Sequence, residues 1–120
     1  MKAVACAVRM GSVSRLARAF RVAYLSDRSI IAEYFAREYG AEYVFTDYRE
    51  LLDLERLDAI SIAIPNYLHA PVTLAALERG LHVFCEKPMA TTVEDARRMV
   101  AAAQASGKRL MIGMSQRFRG

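Results

Sequence analysis

The chain has 120 residues, 54% of them hydrophobic and 25% charged, which is the composition of a globular domain with one core and not of a disordered chain. Two cysteines are too few for a disulfide framework or a cysteine-rich zinc site, and no apolar run is long enough to cross a membrane. The net charge of +4 comes from scattered arginines with no dense basic run, so a solvated surface is a simpler account than a nucleic-acid face.

The opening MKAVACAVRMG starts like a signal peptide, but Arg9 interrupts its short apolar part, and Lys2 to Val8 reads as a buried strand. Ser12 to Phe20 sets Val13, Leu16, Ala17 and Phe20 at helical spacing. Arg21 to Ser26 is a second strand. Ser29 to Tyr39 repeats Ile30, Ile31, Tyr34 and Phe35 as a helix and stops at Gly40. Tyr43 to Phe45 is a third strand, and Tyr48 to Leu54 a short helix. Asp58 leads into AISIAI, a fourth strand apolar on both faces, as expected of a strand covered by helices on each side. Pro65 ends it, because proline has no N–H for the next ladder bond. Tyr67 to Arg79 is a helix closed by Gly80, and Leu81 to Cys85 a fifth strand. Thr92, with Asp95 three residues on, opens a helix that ends at Gly107. Leu110 to Gly113 is a sixth strand.

Strands and helices alternate with short connections, which predicts a doubly wound, mostly parallel α/β sheet. The chain stops at Arg117-Phe118-Arg119-Gly120, just past a strand, and so reads as the first domain of a longer protein. Cys6 and Cys85 each sit inside an apolar run and read as buried, reduced thiols of a cytoplasmic protein.

Such sheets bind ligands outside the carboxyl ends of their strands. Four loops are expected there: Arg9-Met10-Gly11, Ser26-Asp27-Arg28, Pro65-Asn66 and Glu86-Lys87-Pro88. Each alone reads as a turn or cap; together they read as a site. In the first, a dinucleotide fingerprint G-x-G-x-x-G would fall on Cys6 to Gly11, where only Gly11 is a glycine. Val8 puts a branched side chain where the backbone normally approaches phosphate. In the second, Asp27 suits both hydroxyls of an NAD ribose, Ser26 and Arg28 suit a 2′-phosphate, and Asp27 as a helix N-terminal charge is a third reading. His69, at a helix start, reads as a cap or packing residue, and His82 as structural. Glu86 beside Lys87 favours the cationic lysine. A fixed cation at the end of a central strand suits the nicotinamide ribose and a substrate oxygen; a surface ion pair in a turn is the plainer alternative. With only His69 and His82 to add to the cysteines, no metal site is expected.

Ala63-Ile64-Pro65-Asn66 with His69, then Ala76-Leu77 and Gly80, then His82-Val83-Phe84-Cys85-Glu86-Lys87-Pro88, resembles the core of the Gfo/Idh/MocA oxidoreductases. Ala32 to Gly40 and Met111-Ile112-Gly113 through Arg117-Phe118 are also similar, so the resemblance runs from about Val22 to Arg119. It implies an N-terminal Rossmann domain binding NAD or NADP, here residues 1–120, with the family's C-terminal substrate domain absent from this chain. It implies hydride transfer between the cofactor and a sugar, polyol or related carbonyl compound. Lys87 matches the lysine that contacts the nicotinamide ribose and the substrate oxygen, and Asn66 and Glu86 match cofactor-side positions. The candidate cofactor contacts are Met10, Gly11, Ser26, Asp27, Arg28, Ile64, Pro65, Asn66, His69, Glu86 and Lys87, with Lys87 also the catalytic candidate. The acid/base histidine and most of the substrate pocket belong to the second domain, through which members commonly form dimers or tetramers. The expected partners are a nicotinamide dinucleotide and, in a longer parent, a sugar or polyol, with neither nucleic acid nor a membrane among them. The lost glycines leave a second reading open: a non-catalytic Rossmann remnant with weakened cofactor affinity.

Overall fold

Strands β1 (Val4–Val8), β2 (Ala23–Leu25), β3 (Tyr43–Phe45), β4 (Ala59–Ala63), β5 (His82–Glu86) and β6 (Leu110–Gly113) form one sheet in the order β3-β2-β1-β4-β5-β6. This is the strand order of a doubly wound dinucleotide-binding domain. The computed structural model describes residues 4–8, 23–25, 37, 43–54 and 57–114. The expected helices Ser12–Phe20 and Ser29–Tyr39 lie outside the described residues, apart from Arg37, which is helical. The described helices are α1 (Tyr48–Leu52), α2 (His69–Glu78), entered through a 3-10 turn at Asn66–Leu68, and α3 (Val93–Ser106).

Local chemistry sets most boundaries. Thr92 caps α3, its hydroxyl accepting from the Asp95 N–H at 3.1 Å. Gly107 ends that helix at φ 65, and Gly80 follows α2 at φ 74, both left-handed positions that suit glycine. After α2 the chain turns back at once, the Leu81 N–H reaching the Ala76 carbonyl at 3.1 Å.

Strand direction departs from expectation at one place. β2 pairs parallel with β3, and β4, β5 and β6 pair parallel in succession. β1 runs antiparallel to both its neighbours, β2 and β4. Reversal against both means that β2 and β4 still share a direction, so the sheet remains mostly parallel with β1 alone inverted. The sequence explains why pairing does not forbid this. β1 is Val-Ala-Cys-Ala-Val and β4 is Ala-Ile-Ser-Ile-Ala, and each reads the same in both directions. The register centres Cys6 on Ser61, with Val4 on Ala63 and Val8 on Ala59. Turning β1 end for end about Cys6 leaves the residue type at every position unchanged. The alternation that normally fixes strand pairing therefore carries no directional preference here.

The core lies on one face of the sheet. Ile60 and Ile62 of β4 and Val83 and Cys85 of β5 are buried in one cluster with Leu51 of α1 and Val72, Ala76 and Leu77 of α2. Met99 of α3 is fully buried, and α3 packs on α2. On the other face Ser61, Phe84 and Met111 fall in one row across the register. Phe84 is 36% and Met111 50% exposed, so among the described residues only one face of these strands is fully covered. No helix of the described residues is long and apolar enough to cross a membrane.

Candidate functional site

Because β4, β5 and β6 run parallel and in register, their carboxyl ends lie together at one edge. Ile62 stands level with Cys85, Cys85 with Ile112, and Glu86 with Gly113. The residues that follow are therefore neighbours: Ile64, Pro65 and Asn66 after β4, and Lys87 and Pro88 after β5. Ile64 is 8% exposed and anchors its loop in the core, whereas Asn66 and Lys87 are exposed. Pro65 leaves the strand in an extended conformation, and its carbonyl accepts from the Leu68 N–H at 2.9 Å, closing the 3-10 turn that begins at Asn66.

The Glu86 carboxylate does not pair with the lysine ammonium, which removes the plainer alternative of a surface ion pair. Its Oε2 accepts instead from the Lys87 backbone N–H at 3.3 Å. The ion pairs among the described residues are Arg49–Asp47, Arg79–Asp53 and Arg98–Asp95, so the Lys87 charge stays available to a ligand. The Lys87–Pro88 peptide is cis.

Two features were not singled out from sequence. Gly113, opposite Glu86, leaves room for its side chain: a Cβ there would lie 3.0 Å from Phe84 Cζ and 3.1 Å from Glu86 Oε1. Beyond it an open groove of about 730 Å³ is lined by Lys87, Pro88, Met89, Met111, Ile112 and Met114, a volume in the range of small-molecule sites. Methionines at 111 and 114, on a strand end and just past it, were the available signal. Such flexible, polarizable side chains suit an adaptable apolar surface.

The remaining candidates divide. Ser26, Asp27 and Arg28 lie outside the described residues, but they follow Leu25, the last residue of β2, which runs in the direction of β4. Met10 and Gly11 also lie outside the described residues. The strand before them differs from expectation: Val8 is paired with Ala59, at the start of β4, so β1 ends at the opposite edge from Lys87. The gathering of four loops at one edge is corrected to this extent. His69 is corrected too. It is 1% exposed, with Nδ1 2.7 Å from the Pro88 carbonyl oxygen and Nε2 2.8 Å from that of Ile64. Both nitrogens are taken up by backbone, so it supports the two loops from behind and offers nothing to an outer ligand. His82 is structural as expected, its Nδ1 accepting from the Arg109 N–H at 3.1 Å.

Cys85 is fully buried, and burial pushes its thiol up to about 11, with Glu86 adding to the rise and the Thr73 hydroxyl opposing it. A thiol so far from ionising is not a nucleophile at neutral pH. The Cys85 S–H donates to the Glu86 carbonyl at 3.4 Å, and the Thr73 hydroxyl is buried without a hydrogen-bond partner among the described residues.

The edge thus presents a cation without an ion pair among the described residues, an apolar groove next to it, and an exposed amide at the end of the neighbouring strand β4. Comparison with known proteins identifies the family. Residues 6–114 match the family model described as "Oxidoreductase family, NAD-binding Rossmann fold". The chain is 37% identical over 84 residues to a scyllo-inositol 2-dehydrogenase (NADP(+)) of Bacillus subtilis, covering 70% of this chain and 26% of that protein. It is 40% identical over 97 residues to a D-glucoside 3-dehydrogenase of Escherichia coli, covering 81% and 28%. Among solved structures, levoglucosan dehydrogenase in complex with NADH and levoglucosan superposes with a TM-score of 0.72 at 34% identity, over 77% of this chain and 25% of that one. The chain spans about a quarter of the length of the curated relatives it matches. On these grounds the chain belongs to the Gfo/Idh/MocA family of oxidoreductases, within its NAD-binding Rossmann domain.

Proposed function

We propose that residues 1–120 are the cofactor-binding domain of an NAD(P)-dependent oxidoreductase that acts on a sugar, polyol or related carbonyl compound, the substrate domain lying outside this chain. The observation that carries the proposal is the Lys87 corner: a cation free of ion pairing among the described residues, flanked by Asn66 and by the apolar groove at Met111 and Met114.

The bound nicotinamide would supply or accept the hydride. The chain's own residues do the rest of what this domain contributes. The Lys87 ammonium donates to a ribose hydroxyl and to the substrate oxygen, favouring negative charge on that oxygen as the carbon–hydrogen bond is made or broken. Glu86 fixes the lysine's backbone through the 3.3 Å bond to its N–H. Asn66 offers its amide from the β4 side, and the methionine groove gives the apolar ring an adaptable surface to lie on. Asp27, or Ser26 with Arg28, would read the adenosine ribose.

Calorimetric titration with NADH and then NADPH tests this. Binding to either, weakened in Lys87→Met, is the expected result, and the preferred cofactor decides between the readings of residues 26–28. No binding to either would overturn the proposal in favour of a second reading, a Rossmann remnant that has lost its cofactor. One observation favours that reading: β1 ends at the far edge of the sheet and lacks the fingerprint glycines. Glycine at both Cys6 and Val8 would then create binding that the unmodified chain lacks.

A further inference from the structure

His69 has a chemical problem that its neutral form does not solve. A carbonyl oxygen can only accept a hydrogen bond, and a neutral imidazole has only one N–H. Yet Nδ1 lies 2.7 Å from the Pro88 carbonyl oxygen and Nε2 lies 2.8 Å from the Ile64 carbonyl oxygen. With one N–H, one of these contacts would set a ring lone pair against a carbonyl lone pair in a site that is 1% exposed. Both distances fall in the range of bonds from a charged donor.

We infer that His69 is a doubly protonated, two-way donor, a buried imidazolium that clamps the end of β4 to the turn after β5 and so sets the spacing of Asn66 and Lys87. It is a positioning residue. That role rests on the cofactor reading given above; the protonation of the ring does not. Of the elements it joins, Ile64–Asn66 carries no titratable side chain, and the β5 turn carries Glu86 and Lys87. Its own helix is entered through Tyr67 and carries Glu78 at the far end; α3, packed on that helix, carries Glu94 and Asp95 in its first turn and Arg97 and Arg98 after them, and α1, which also touches it, carries Tyr48, Arg49 and Glu50.

The chain's other histidine provides the contrast. His82 Nδ1 accepts from the Arg109 N–H, so that nitrogen is bare and the proton sits on Nε2. With only two histidines, the long-range ¹H–¹⁵N spectrum of the uniformly labelled chain contains two ring systems, assigned by comparison with His82→Gln. At neutral pH the expected spectrum shows two protonated nitrogens for His69 and one protonated and one bare for His82. A bare nitrogen on His69 at neutral pH overturns the inference.

The positioning role is read from NADH affinity. His69→Leu fills the space and donates nothing, and losing bonds to both carbonyls is expected to weaken NADH binding about tenfold or more. His69→Gln, which keeps a donor for one carbonyl, falls between the two. A folded His69→Leu chain with unchanged affinity overturns the role. The spectrum of the unsubstituted chain needs neither cofactor nor variant, so it decides the state of the ring even where the titration overturns the cofactor reading.

Discussion

Replacing Gly113 by alanine separates the function of the strand end from its stability. The new Cβ would sit 3.0 Å from Phe84 Cζ, 3.1 Å from Glu86 Oε1 and 3.3 Å from Glu86 Cδ, so both side chains must yield by a few tenths of an ångström. In a closed core, overpacking costs about 1–3 kcal/mol. Here both neighbours have room: Phe84 is 36% exposed and the Glu86 carboxylate ends a flexible side chain. Alanine also narrows the unfolded ensemble, returning about 0.4–1 kcal/mol. The net stability change is expected to be about 1 kcal/mol or less, a shift in Tm of a few degrees. Binding is less tolerant. The Glu86 bond to the Lys87 N–H is already 3.3 Å long, and a displacement of that size takes it out of hydrogen-bonding range. Releasing the Lys87 backbone is expected to raise the NADH dissociation constant about tenfold, the equivalent of about 1.4 kcal/mol. Differential scanning calorimetry and NADH titration on the same preparation read the two effects. Adding Phe84→Ala removes one clash but not the other and should not restore affinity. Unchanged affinity in Gly113→Ala, or its recovery in the double variant, would refute the assigned link between Gly113, Glu86 and Lys87.

Ile62→Ala truncates a fully buried residue of the central strand and is expected to cost about 2–5 kcal/mol in urea denaturation. Thr92→Ala removes the cap that holds the Asp95 N–H at 3.1 Å and should cost about 1 kcal/mol, with helix content little changed by circular dichroism. The Cys85 thiol, pushed up from 9.0 to about 11, keeps its proton in the folded chain at pH values where the unfolded chain has lost it. Its contribution to stability is therefore complete below about pH 9 and is lost as pH rises towards 11. Cys85→Val should flatten that part of an alkaline stability series, and the unsubstituted thiol should resist iodoacetamide until the chain unfolds.

Much of this was readable because local rules and the fold agree. The apolar run AISIAI stopped by Pro65, the cap at Thr92 and the left-handed glycines at 80 and 107 are statements about neighbouring residues, and the structure keeps all of them. What the sequence hid is nonlocal. His69 was readable as a packing residue but not as one that meets carbonyls from two separate loops. Gly113 looked like a strand end, and its importance comes from Glu86 across the ladder. Glu86 and Lys87 are adjacent, but adjacency does not show that the carboxylate turns to the backbone amide and not to the ammonium. The direction of β1 was not legible at all, since nothing in the order of its residues encodes it.

Two mirror-symmetric words laid against each other carry no arrow, so the polarity of β1 has to be written elsewhere: in the connection to β2, or in a ligand that rewards one orientation. It also marks where evolution or an engineer can act cheaply. One asymmetric letter, such as Val4→Thr answered by Ala63→Thr, would favour Val4 lying beside residue 63. The same answer placed at Ala59 would favour the opposite orientation. A single cross-strand pair would then decide at which edge of the sheet β1 ends.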